Sequence, residues 1–149
     1  MKTKVSHFYR EPLKVIPKYI TNYDSEFFNK RWVNEDELQP EIIRMLYAMV
    51  EPEECLEICA IPGGSARTSI GVAMKLKIMG VRAGVPDLML LWKGGIAFIE
   101  VKGMASLSVA QKEFKEYAEK IEIKRATCKT LNEALCFAID CGLKVRRLT

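Results

Sequence analysis

Residues 81–103 read VRAGVPDLMLLWKGGIAFIEVKG, and no other stretch of this 149-residue chain constrains the fold as tightly. Two apolar runs, Asp87–Trp92 and Ile96–Val101, flank Lys93-Gly94-Gly95 in the pattern of a β-hairpin. Side chains alternate faces along a strand, so Glu100 and Lys102 share one face while Ile99 and Val101 point to the other. A turn centred on Gly94 puts Leu88 opposite Glu100, and brings Asp87 level with Glu100 to within about one residue. Two carboxylates and a lysine then converge where the strands end. Burying two like charges side by side is costly unless a cation compensates. An oxygen-ligated Mg²⁺ meets that need. A lysine two residues past a ligating carboxylate can orient or help deprotonate a water, or steady negative charge developing on a phosphate. The plain alternative for a bare Glu-x-Lys is a surface ion pair of small energetic weight. The preceding apolar strand, the upstream Pro86-Asp87 and the bounding glycines favour the metal site.

Around this hairpin the chain alternates helix and strand signals. Leu38, Ile42, Met45, Leu46 and Met49 form one apolar stripe at helical spacing. Pro40 leaves two readings open: the helix begins near Gln39, or it begins near Asn34 and bends. Cys55–Ile61 alternates like a strand until Pro62-Gly63-Gly64 stops it. Ser69–Met79 reads as a second helix ended by Gly80. Ser108 with Gln111, and Thr130 with Glu133, match capping boxes that open two further helices. A short strand, Ile121–Cys128, lies between them. The order α-β-α-β-β-α-β-α implies an α/β domain, a mixed β-sheet flanked by helices.

Composition removes other chemistries. The chain has a single histidine, His7, so a Ser-His-Asp triad, a Cys-His dyad and a His-built zinc site are excluded in practice. Five cysteines form no CxxC pair, which points to reduced structural thiols. The N-terminus has no apolar leader and no run approaches a membrane span, so a cytoplasmic protein of a bacterium or phage-infected cell is expected, with no membrane partner. Residues 1–34 carry seven Lys/Arg, three Asp/Glu and seven of the aromatics. They read as a basic, aromatic-rich arm laid on the domain or on a partner subunit; a strand-binding arm with stacking aromatics is the sharper alternative. Residues 35–149 form the domain proper. Residues 35–61 are acidic, and the remainder, 62–149, is basic with fifteen Lys/Arg against eight Asp/Glu.

Gly84-Val85-Pro86-Asp87, Glu100-Val101-Lys102 and Ser108-x-x-Gln111 together resemble the signature of the VRR-NUC nucleases of the PD-(D/E)XK superfamily. Glu35-x-x-x-Gln39 ahead of Ile42, Ile43 and Leu46 is similar to the family's first helix. The Gly-rich loop with Arg67 matches in style and order, and the resemblance spans roughly residues 35–140. It implies a restriction-endonuclease-like fold and a nuclease that uses Mg²⁺ or Mn²⁺ to hydrolyse phosphodiesters in DNA. Asp87, Glu100 and the Val101 carbonyl would be metal ligands. Lys102 would serve the water or the transition state. Glu35 would add a carboxylate from the first helix, with Glu37 as its alternative, and Gln111 would support the site, cap its helix, or both.

Arg67, Lys75, Lys77 and Arg82 are the candidate nucleic-acid contacts, with Lys93, Lys112, Lys115, Lys124 and Arg125 as further basic residues. Recognition by shape is expected over recognition by base sequence. Stand-alone family members look like homodimers related to junction resolvases, so a homodimer acting on branched DNA is implied, without a nucleotide cofactor. The alternatives are a non-catalytic DNA- or junction-binding module on the same fold, a restriction-type enzyme, or an RNA nuclease.

Overall fold

The computed structural model describes residues 25–61 and 69–146. The first 24 residues of the basic arm, and Arg67, lie outside the described residues. Helix α1 is the short Ser25–Asn29 and α2 is Glu35–Met49. Strand β1 follows at Glu57–Ala60, then α3 at Ile70–Ile78. The hairpin is β2, Leu88–Trp92, and β3, Gly95–Val101. Helix α4, Val109–Lys120, leads to β4, Lys124–Cys128, and α5, Leu131–Asp140, completes the order. Apart from α1, this is the succession expected from the sequence.

The four strands form one mixed sheet in the order β1-β2-β3-β4. β1 and β2 are antiparallel, as are β2 and β3, whereas β3 and β4 run parallel. The parallel pair is joined through α4, because a parallel connection needs a crossover and cannot be closed by a tight turn. One face of the sheet presents Leu88, Leu90, Ala97, Ile99 and Val101, all fully buried. They pack with Leu38, Ile42, Met45 and Leu46 of α2 and with Leu131, Ala134 and Ala138 of α5 in a single core. Phe28 of α1 is 1% exposed and belongs to the same core.

The hairpin register departs from the expectation by one residue. Leu88 pairs with Ile99, not Glu100, and Trp92 pairs with Gly95. The physical reason is a two-residue turn, Lys93-Gly94, with Gly95 already in β3. A Cβ at Gly94 would lie 2.6 Å from the Trp92 indole Nε1, so any larger residue there would have to displace that ring. Carried one step past the ladder, this register sets Asp87 against Glu100.

Pro40 lies inside α2, which starts at Glu35. Asn34 caps it by accepting a 2.9 Å hydrogen bond from the Asp36 amide, and Glu35, Asp36 and Glu37 occupy the positive first turn. That cap and those charges fix the start early enough that the proline falls inside the helix, at the cost of one backbone hydrogen bond. Of the cysteines, Cys128 and Cys141 are buried thiols, raised by desolvation, with that of Cys128 pushed up to about 12. Cys136, in the apolar stretch of α5, is exposed.

Helix α3 is unlike the rest. None of its residues is buried, yet Ile70, Val72, Met74 and Ile78 are all largely exposed, as are Met79 and Val81 beyond it.

Candidate active site

Asp87 sits in the bend before β2, where its carbonyl accepts from the Ile61 amide at 2.7 Å. Its carboxylate Oδ2 accepts from the Val101 amide at 2.8 Å. That bond straps the first carboxylate across the hairpin to the residue between Glu100 and Lys102. Val101 itself buries its side chain in the core. Glu100 therefore points to the opposite face, toward α4, and is only 2% exposed.

Two elements outside the hairpin complete the group. Gln111 opens α4 in a true capping box: its Oε1 accepts from the Ser108 amide at 2.8 Å while Ser108 Oγ accepts from the Gln111 amide at 3.2 Å. The same side chain donates Nε2–H to Glu100 Oε1 at 2.6 Å. Cap and site contact are thus made together. From the other side, Glu35 Oε1 accepts from the Gly103 amide at 3.3 Å and lies 3.7 Å from Lys102 Nζ. Glu37, the alternative, is exposed to solvent. So Asp87, Glu100, Lys102, Glu35 and Gln111 come together although they span 77 positions of the chain.

Two glycines allow these approaches. Gly84 has φ +83°, and a Cβ on it would overlap the Ala110 carbonyl in the first turn of α4 and stand 2.9 Å from the Gln111 nitrogen. Gly103 would bring a Cβ within 2.5 Å of the Val33 carbonyl oxygen. Each helix bearing an accessory side chain is therefore seated against the hairpin at a glycine.

The electrostatics are those of crowded acids. Burial first and the Asp87 charge second push the Glu100 carboxyl up to about 8, with Lys102 and Arg125 opposing the rise. Glu100 Oε2 is buried and has no hydrogen-bond partner. Among the described residues, no three Asp, Glu, His or Cys side chains form a ready-made cation cage. Two adjacent carboxylates suit Mg²⁺ or Mn²⁺ nevertheless, because such ions are held by one or two carboxylates, with water and substrate phosphate supplying the rest. The orphaned Oε2 is the observation that fits: a hard oxygen with unspent acceptor capacity beside a second carboxylate.

Arg125, which the sequence places among the general basic residues, lies close to the acids. It pairs in register with Phe98 on the Glu100 face of the sheet and is half-buried. Desolvation lowers its guanidinium from the ordinary value, and the nearby Glu100 charge opposes that shift. No signal in its own neighbourhood of the sequence could show this, since the β3–β4 pairing is long-range. Arg82 stacks its guanidinium over the rings of Phe114 and Tyr117, at 5.3 and 5.2 Å. Lys75 and Lys77 stand exposed in the last turn of α3.

The VRR-NUC domain model matches residues 24–130 of the chain. The chain belongs to the VRR-NUC domain family. VRR-NUC domains are nucleases of the PD-(D/E)XK type, and the mixed sheet with flanking helices is the restriction-endonuclease-like architecture that goes with them. No curated protein and no solved structure matches the sequence. Among the described residues, no helix is long and apolar enough to cross a membrane.

In a VRR-NUC nuclease, the double use of Gln111 can be separated by experiment. Gln111→Ala and Ser108→Ala each remove one arm of the capping box and should cost about 1 kcal/mol in thermal unfolding. Only Gln111→Ala also strips Glu100 of its neighbour, and it should slow cleavage by a further ~10- to 100-fold. Equal cleavage rates in the two variants would reduce Gln111 to a cap.

Proposed function

We propose that this VRR-NUC protein is a divalent-metal-dependent endodeoxyribonuclease, sequence-independent and selective for branched or junction DNA. The observation that carries the reading is the meeting of Asp87 and Glu100 beside Lys102, with Glu100 Oε2 buried and unpartnered. Asp87, Glu100 and the Val101 carbonyl would hold Mg²⁺ or Mn²⁺. When bound, the ion supplies charge neutralisation at the phosphate and makes water a better nucleophile near neutral pH.

The remaining work belongs to the chain. Val101 N–H fixes Asp87, and Gln111 Nε2–H fixes one oxygen of Glu100, leaving the other to face the reaction. The Lys102 ammonium steadies the negative charge that builds on the phosphate as water adds and the P–O bond to the leaving strand breaks. Glu35 holds that ammonium from behind. Arg82, Lys75, Lys77 and Arg67 would neutralise flanking phosphates, each contact steepening the salt dependence of binding by about 0.9 in log–log slope.

A homodimer is part of the proposal. Beside its two lysines α3 exposes Ile70, Val72, Met74 and Ile78, with Met79 and Val81 beyond it, and such a run of exposed apolar side chains offers a surface for a second copy.

A cleavage panel tests the whole reading. Single strand, linear duplex, flap and four-way junction are offered with Mg²⁺ and with Mn²⁺ to the parent and to Asp87→Asn, while light scattering gives the mass in solution. Paired symmetric cuts in the junction, metal-dependent and lost in Asp87→Asn, are expected from a particle of twice the chain mass. Tight, salt-sensitive binding without any cutting would replace the nuclease by a binding module on the same fold.

A further inference from the structure

One open cleft of about 500 Å³ adjoins the candidate active site, lined by Val33, Asn34, Glu35, Asp36, Met104 and Ala105. Its base is rigid. Gly103 closes so tightly on the backbone of Trp32 and Val33 that a Cβ would come within 3.0 Å of the one carbonyl oxygen and 2.5 Å of the other. Val33 and Met104, each next to that contact in the chain, border the cleft and are 81% and 65% exposed as residues. Together they give the cleft an apolar edge beside a polar site.

We infer that this cleft is the subsite for one unstacked nucleobase of the cleaved strand, an inference that rests on the nuclease reading above and specifies its substrate. Charge decides what the occupant is. A helix N-terminus attracts anions, but Glu35, Asp36 and Glu37 already fill the first turn of α2, and Asn34 has taken the Asp36 amide. A phosphate is therefore repelled here. A neutral base is not, and Val33 and Met104 offer its apolar face a contact whatever the base.

Continuity decides which base. Glu35 lines the cleft and also reaches Lys102 Nζ, so a strand with its phosphate at Lys102 has its neighbouring base at the cleft mouth. Met and other apolar side chains act as wedges against bases that have left the stack. A base still paired within a duplex remains stacked and cannot enter. Moving it out costs least where it is already unpaired. The subsite thus selects DNA by local structure and reads no sequence, because any base has an apolar face to offer.

The test uses the full chain and two substrates of one sequence, identical but for the nucleotide beside the cleaved phosphate, paired in one and unpaired in the other. The parent should show at least a tenfold higher kcat/KM on the unpaired form, with 2-aminopurine at that position changing its fluorescence on binding. Val33→Ser with Met104→Ser should lower that ratio about tenfold, through KM, and abolish the fluorescence change. Both side chains are exposed, so the variant keeps the core; circular dichroism checks this. A double variant that retains ratio and fluorescence overturns the subsite while leaving the nuclease reading intact. So does a parent that cuts both forms equally. A parent that cuts nothing overturns both.

Discussion

Lys102→Met is expected to slow DNA cleavage by about 10²- to 10³-fold, the usual consequence of removing one group that steadies transition-state charge. Methionine keeps the buried stem of the lysine, 8% exposed as a residue, and deletes only the ammonium. The Glu35 contact it removes is long, 3.7 Å, with Glu35 partly exposed, so little stability goes with it. Single-turnover rates at saturating Mg²⁺ separate the chemical step from binding. Lys102→Arg should not restore the rate, because a planar fork does not replace a compact point charge. A Met variant cutting within about threefold of the parent would remove Lys102 from the mechanism.

The second large effect is on folding. Gly84→Ala should lower stability by about 3 kcal/mol or more, combining a left-handed backbone with an overlap against the start of α4. Gly142→Ala is the matched control. Gly142 has φ +95° and open space where a Cβ would stand, with nothing within 4 Å, so it carries the backbone strain alone, about 1 kcal/mol. Thermal unfolding of the two variants should differ by roughly 5–10 °C. Equal melting temperatures would mean that α4 shifts easily at Gly84. In that event the Gln111–Glu100 bond, which depends on the same seat, would not be fixed by it.

The α2 stripe, the hairpin runs and the Ser108–Gln111 capping box are local patterns, and each forms where periodicity and cap chemistry indicate. The second expected box is only half made: Thr130 caps its helix by accepting from the Glu133 amide, but the Glu133 carboxylate accepts from the Lys129 amide one residue before the cap. Counting across a turn is less secure. Treating Lys93-Gly94-Gly95 as one unit shifts the register by a residue, whereas Gly95 already pairs with Trp92 and leaves a two-residue turn. Helix α1 escapes a sequence reading because five residues hold too little period. The start of α2 is ambiguous in sequence because Pro40 argues locally for a late start, while Asn34 and three acids argue for an early one. In the candidate site, alternation makes the shared face of Glu100 and Lys102 legible, while the level of Asp87 follows from sequence only to within about one residue. The seats at Gly84 and Gly103 and the burial of Arg125 are not legible, since each depends on contacts between segments far apart in the chain.

A capping box accepts glutamate or glutamine at its third helical position with little preference. Position 111 does not have that freedom. The Ser108 amide has claimed the side-chain oxygen, so the atom left facing Glu100 must be a donor. Glutamate would satisfy the helix equally well and set a third acid against Asp87 and Glu100. One atom, nitrogen in place of oxygen, thus separates a residue that merely starts a helix from one that also lets two acids share a pocket.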